Sequence, residues 1–368
     1  MKKIFFVFAF LFLALSCSKD EPATQDDDTN QNFDRSAMLI NWADGIIIPS
    51  FQNFETSVIS LQDAVNAFHA NQTSETLATM RQAWRNTYIS FQNVSMFELG
   101  PAENVSFRVY LNSYPTDVNE INGFIDSGEY NLELPSTIDS QGFPALDYLL
   151  YGVAENDTEV LQYYEDNQNA RDYLLAVSQR ITSLPSAVVN GWSSFRNDFV
   201  NNDGASASAS VDKLTNDFMF YYEKALRAGK IGIPAGVFSN EPLPQNVEGL
   251  YTQNISKELT IEALDACIRF FRGQGPSGGA TGEGYETYLN FLNSIKNGDD
   301  LGNLILNQFS ASKNAINGLN ANFAAQISTD NNAMLTAYDE LQRNVVLLKV
   351  DMLQALSIDV DFVDADGD

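Results

Sequence analysis

Catalysis that relies on an imidazole has one residue to work with, because His69 is the only histidine in the 368-residue chain. Ser-His-Asp chemistry would have to run through His69, and a helix carrying two histidine zinc ligands cannot be built. His69 stands in Ala67-Phe68-His69-Ala70-Asn71, which reads as a fraying helix end with an exposed or cap-like imidazole. The two cysteines, Cys17 and Cys267, are too few for a zinc site made of thiolates. Carboxylates are plentiful: 48 acidic against 21 basic residues give a formal net charge of -27. A field of that sign repels phosphate backbones and anionic lipid and attracts cations, which excludes nucleic acid as a partner.

Among the carboxylates, Asp147 is the most conspicuous, because its neighbours Phe143, Ala145, Leu146, Tyr148, Leu149 and Leu150 are apolar. A carboxylate there is desolvated and needs a partner. It is either a pocket group that binds a cation or substrate amine, or an acid stabilised by the N–H groups at a helix start. Lys230, in Gly229-Lys230-Ile231-Gly232-Ile233-Pro234, can pair with Asp147, bind an anion or simply face water. Glu248 follows as a second pocket candidate or a first-turn acid, and Glu98, Arg85 and Tyr251 complete the candidate ligand-binding set. Trp84 reads as core. Asp359, Asp361, Asp364, Asp366 and Asp368 invite a calcium reading, but Phe362 stands where an EF-hand loop needs its first ligand, which favours a solvated acidic tail.

These residues are carried by helices. Apolar residues recur at spacings of three and four through most of the chain. Phe33 to Phe68 gives one long pattern that Pro49 should kink or break. Thr73 or Ser74 caps the next helix, which carries Trp84. Pro101, Pro115, Gly123, Gly128 and Pro135 cut residues 100–141 into short pieces. A short helix is expected from Pro144, and a long one over 167–199 with a bend at Pro185. The small polar run 201–210 is the expected boundary between two halves. In the second half, helices are expected over 211–228, 246–272, 282–295, 301–327 and 331–356, with a glycine- and proline-rich loop over 229–244. The fold class is all-α, two helical bundles packed side by side.

The N-terminus predicts an address. Lys2 and Lys3, an apolar run from Ile4 to Leu15, and Ser16-Cys17 make residues 1–16 a secretory signal peptide, too short to span a membrane. Ala14-Leu15-Ser16-Cys17 resembles a bacterial lipobox, so Cys17 is the expected lipidation site and membrane anchor. Residues 17–32 lack large apolar side chains and are expected to form a disordered tether. Ser18-Lys19-Asp20-Glu21 resembles a signal for display on the outer membrane. The expected location is therefore an outer-membrane lipoprotein, periplasmic or surface-exposed, with bundles over 33–205 and 206–368.

Several segments together resemble the imelysin-like family of bacterial envelope proteins. Gly142-Phe143-Pro144-Ala145-Leu146-Asp147 is similar to its signature, in which a histidine and a glutamate lie three residues apart. Arg227 to Gly236 resembles the loop between the family's two halves. Trp84 with Phe97-Glu98-Leu99-Gly100-Pro101, and the closing Leu348 to Leu353 with Asp364 to Asp368, are similar to further family segments. The resemblance implies two four-helix-bundle-like domains, a ligand site near their junction, and a part in iron or metal acquisition. Iron or another divalent cation is the implied cargo, with Asp147 the candidate metal ligand. Pro144, standing at the histidine position, has no ligand atom, so a metallopeptidase activity is disfavoured. The expectation is a non-enzymatic binding protein for a metal, chelate, haem-like compound, peptide or envelope protein partner. The alternatives are a degenerate metallopeptidase-like protein and a surface interaction module.

Overall fold

A computed structural model describes residues 32–278 and 281–362. The expected signal peptide, Cys17 and residues 18–31 of the expected tether lie outside the described residues, as do Asp364, Asp366 and Asp368. The first half runs through α1 (Arg35–Ile40), α2 (Ile48–Ala70), α3 (Ser74–Phe91), α4 (Phe107–Leu111), α5 (Val118–Ser127), α6 (Gly142–Tyr151), α7 (Asp157–Asp166) and α8 (Gln168–Asn201). The second holds α9 (Ser210–Phe220), α10 (Ile233–Ala235), α11 (Ser256–Phe271), α12 (Tyr285–Phe291), α13 (Leu301–Asn317), α14 (Phe323–Val345) and α15 (Leu353–Leu356). A hairpin of β1 (Ile295–Lys296) and β2 (Asp299–Asp300) is the sheet found among the described residues. The all-α expectation is met. None of these helices is long and apolar enough to cross a membrane.

Capping follows the chemistry of the ends. The Thr73 hydroxyl accepts from Thr76 N while Thr76 Oγ1 accepts from Thr73 N, satisfying donors at the start of α3. Asn167 and Asp300 cap α8 and α13 in the same way through their side-chain oxygens. Pro49 does not break its helix. The chain passes from α1 through a π-helical stretch, Asn41–Ile47, directly into α2, and Pro49 lies in the first turn of α2, where its ring fits. Pro185 lies inside α8, a 34-residue helix that continues past it.

Four expectations need correction. Residues 229–235 are helical: α9 continues through a π-helical stretch, Tyr221–Gly232, into α10. The glycines survive there because Gly232 lies against the rings of Tyr338 and Phe238, where a Cβ would come within 2.7 Å. Residues 247–255 are not helical; Gly249 and Gln253 take positive φ, and α11 starts only at Ser256. The helix expected over 282–295 is the short α12 followed by β1. The helix expected over 301–327 is two, α13 ending at Asn317 and α14 starting at Phe323.

Packing joins the halves. Against α2 lie α3 and α8, and in the second half α14 packs on α13 and on the Tyr221–Gly232 stretch. Trp42, fully buried, meets Phe270 at 5.3 Å and Tyr285 at 5.0 Å between ring centroids, so a ring from the first helical run sits among second-half aromatics. Phe97 reaches Phe270 at 5.2 Å. Burying one such ring stabilises by roughly 1.5–3 kcal/mol. The described residues from Asp34 onward form one compact unit, and the expected boundary at 205/206 falls in the segment between α8 and α9.

Candidate functional site

Asp147 is buried, 1% exposed, on α6. This helix starts at Gly142 (φ +78°), where any Cβ would sit 2.4 Å from the Leu111 carbonyl oxygen, so the residue type is fixed by close backbone approach. The Asp147 carboxylate accepts from Tyr251 N at 2.8 Å, from Thr252 N at 3.0 Å and from the Thr252 hydroxyl. Those donors come from residues 247–255, so the loop that was expected to be helix wraps onto the carboxylate. Burial pushes the Asp147 carboxyl up to about 6, against the pull of these donors. Both oxygens are engaged, and a cation at Asp147 would have to displace the loop.

Glu248 anchors the same loop. Its carboxylate, 2% exposed, pairs with the Lys230 ammonium, 3% exposed. Its Oε1 also accepts from the Tyr88 hydroxyl at 3.0 Å and from Asn112 Nδ2 at 2.8 Å, and Tyr88 OH donates to Asn112 Oδ1 at 2.5 Å. Burial holds Lys230 below the ordinary lysine range, while Glu248 pulls it back up. Tyr88 stacks on Phe143 of α6 at 4.6 Å, which ties this network to the helix that carries Asp147. The structure thus brings Asp147, Lys230, Glu248 and Tyr251 to one neighbourhood, Tyr251 through its backbone and through its ring against Tyr148 at 5.2 Å.

The other candidates lie elsewhere. Arg85 pairs with Glu258 and donates to Asn254 Oδ1 at 3.2 Å at the surface. Glu98 accepts from Arg108 N at 2.8 Å, and its own N–H donates to Asp217 Oδ2 at 2.5 Å. His69 closes α2, as expected, and its Nε2 lies 2.8 Å from Asp172 Oδ1. Trp84 is core, its indole N–H donating to Phe143 O at 3.3 Å. Cys267 is buried and free. Among the described residues, no three His, Cys, Asp or Glu side chains could hold a metal ion together.

Beside this network is a cavity of about 260 Å³ whose polar wall comes from Arg108, Asn112, Tyr114, Tyr221, Lys230 and Asn246. No carboxylate lines it among the described residues, in a chain of net charge -27. Arg108 was missed in the sequence. Its guanidinium donates to Ser95 O at 2.5 Å and to Asp217 Oδ1 at 2.9 Å, and lies over the Tyr221 ring at 5.4 Å. Its signal was a lone cation in the apolar run Phe107-Arg108-Val109-Tyr110-Leu111. Two cationic side chains with amide and phenol donors can receive an anion or the anionic face of a complex.

The described residues form a predominantly helical unit with a donor-lined cavity between residues of its two halves. The profile of the Imelysin family matches residues 47–348, and the chain belongs to that family. It is 21% identical over 151 residues to iron-regulated protein A of Synechococcus elongatus, a match that spans 41% of this chain and only 38% of that protein. Its fold is shared with a solved iron-regulated protein A precursor from Parabacteroides distasonis (TM-score 0.71, 19% identity, 89% of this chain and 97% of that one). It is shared equally with an imelysin-like protein from Psychrobacter arcticum (TM-score 0.70, 15% identity, the same coverage).

Proposed function

We propose that this protein is a non-enzymatic binding protein of the cell envelope that takes up iron as an anionic complex in the junction cavity. The observation that carries this reading is the lining: Arg108 and Lys230 with amide and phenol donors, and no carboxylate among the described lining residues, in an otherwise acidic molecule. An anion is the complement of that wall. A bare divalent cation finds no carboxylate on this wall among the described residues, whereas an anion would be held by the N–H groups that Lys230 and Arg108 keep beyond their pairings with Glu248 and Asp217. The family supplies the iron context through the names of relatives. A peptidase role finds no support in these residues, because Pro144 offers no ligand atom and Asp147 is held as an acceptor. Attachment through a lipid on Cys17 belongs to the same reading.

The test is retention of iron after desalting, read by elemental analysis, with ferric citrate and ferrous sulfate offered separately. Iron kept from ferric citrate alone, and lost in a Lys230→Met variant shown by circular dichroism to be as helical as the wild type at the assay temperature, supports the proposal. Retention from the ferrous salt alone, abolished in Asp147→Ala, would restore direct coordination instead. No retained iron from either sinks the iron reading.

A further inference from the structure

A second, larger cavity of about 440 Å³ is bounded by the turn at Leu99, the C-terminal half of α8, helix α9 and residues 361–362. Leu99, Phe195, Phe199, Phe220 and Phe362 form its apolar wall. Glu98, Glu103, Asp198, Asp217 and Asp361 also line it, against Lys213 as the one cation among the described lining residues; Arg108 engages Glu98 and Asp217, which leaves Glu103, Asp198 and Asp361 as the acids for a charged head. The wall is built, not incidental. Gly100 takes φ +52° and lies so close to the Phe195 ring that a Cβ would sit within 2.5 Å of it. Asn216 donates to Asp359 O at 3.0 Å and accepts from Asp361 N at 3.1 Å, which pins the last described segment across α9. Phe362 then meets Phe220 edge-on at 5.6 Å.

We infer that this groove binds an organic ammonium whose apolar body lies on the phenylalanine rings and whose charged head faces the carboxylates. Charge complementarity selects a cation, and the rings select one with a carbon skeleton. A bare metal ion is a poor occupant, since among the described residues the carboxylates do not converge as a metal site. An anion is repelled. A neighbouring hollow of about 340 Å³, lined by Pro101, Asn104 and Ser194, shares Phe195 and Asp198 with the groove and gives room for a longer amine. Burial pushes the Glu98 carboxyl up to about 7 against the pull of Arg108, and Asp217 and Glu103 push the same way.

Calorimetric titration of the full chain at low ionic strength with 2-phenylethylamine, and with 2-phenylethanol as its uncharged counterpart, tests the inference. The amine is expected to bind, with the alcohol weaker by about tenfold or more. Asp198→Asn removes an exposed charge that the fold does not need, and Phe195→Leu removes a ring. Each is expected to weaken the amine several-fold, with the melting temperature of Asp198→Asn unchanged. Equal binding of amine and alcohol overturns the assignment. So does amine binding that neither substitution alters, which would mean attraction by overall charge alone.

Discussion

Lys230 and Glu248 are each nearly bare of solvent, and each depends on the other for charge balance. Lys230→Met leaves the Glu248 carboxylate with two neutral donors, Tyr88 and Asn112, and no cation. Breaking such a pair from one side costs about 3–5 kcal/mol, whereas replacing both partners with matched apolar groups is far cheaper. Urea unfolding of Lys230→Met beside Lys230→Met/Glu248→Leu should therefore show the single variant as the less stable. Asp147 gives a pH signature. Its folded-state carboxyl, pushed from 3.8 to about 6, keeps its proton where the unfolded chain has lost it. The folded state then binds more protons between about pH 4 and 6, so this group's contribution to stability falls as pH rises through that window. Asp147→Asn cannot titrate, and the stability difference, wild type minus variant, should shrink by on the order of 3 kcal/mol from acid to neutral pH. A flat or growing difference in urea titrations across that range would contradict it. Sequence alone picks out Asp147, because charge amid apolar neighbours demands a partner, and offers Lys230 and Glu248 from a glycine-rich loop and the segment that follows it. It misassigns the partners, since which carboxylate meets Lys230 depends on a loop, 247–255, whose path is set by tertiary contacts. It passes over Tyr88 and Asn112 for the same reason.

At the level of elements, α6 is the piece that sets the site, and Gly142 sets α6. Gly142→Ala must push a methyl into the Leu111 carbonyl and hold a non-glycine residue at φ +78°. Strain of this kind costs on the order of 1–3 kcal/mol, with the clash added to it. Thermal unfolding of Gly142→Ala should show a clear loss of stability, while Gly123→Ala, where a Cβ meets open space, should not. The helix-by-helix pattern was largely legible, since α2, α3, α8 and α11 each carry an apolar stripe at the helical period. The glycines and prolines around 229–235 misled because local propensity predicts a loop there. Buried contacts of Gly232 with Tyr338 and Phe238 and the wide π-helical turns keep it helical instead. Asp330, with extended backbone (φ -155°, ψ 85°), interrupts α14 where the sequence shows a gap between two expected helices, so that break is met.

Across the whole molecule, charge divides the two cavities. A net charge of -27 opposes an approaching anion and favours an approaching amine at long range. The Debye length shrinks from about 30 Å at 0.01 M salt to about 10 Å at 0.1 M. Stopped-flow association of ferric citrate should therefore quicken as salt is raised over that range, while association of 2-phenylethylamine slows. The same sign of response for both ligands would mean that the global field does not govern their approach.

Arg108 stands in the wall of the junction cavity and at the same time holds Asp217, a wall residue of the acidic groove. Its guanidinium has a fixed number of N–H groups, and one of them is committed to Asp217 Oδ1. An occupant that draws Asp217 away returns that donor to the junction side, and an anion that engages Arg108 loosens Asp217. If both cavities are occupied as proposed, their occupancies are linked through this pair. By thermodynamic reciprocity, the factor by which an amine in the groove changes anion affinity at the junction equals the factor by which the anion changes amine affinity.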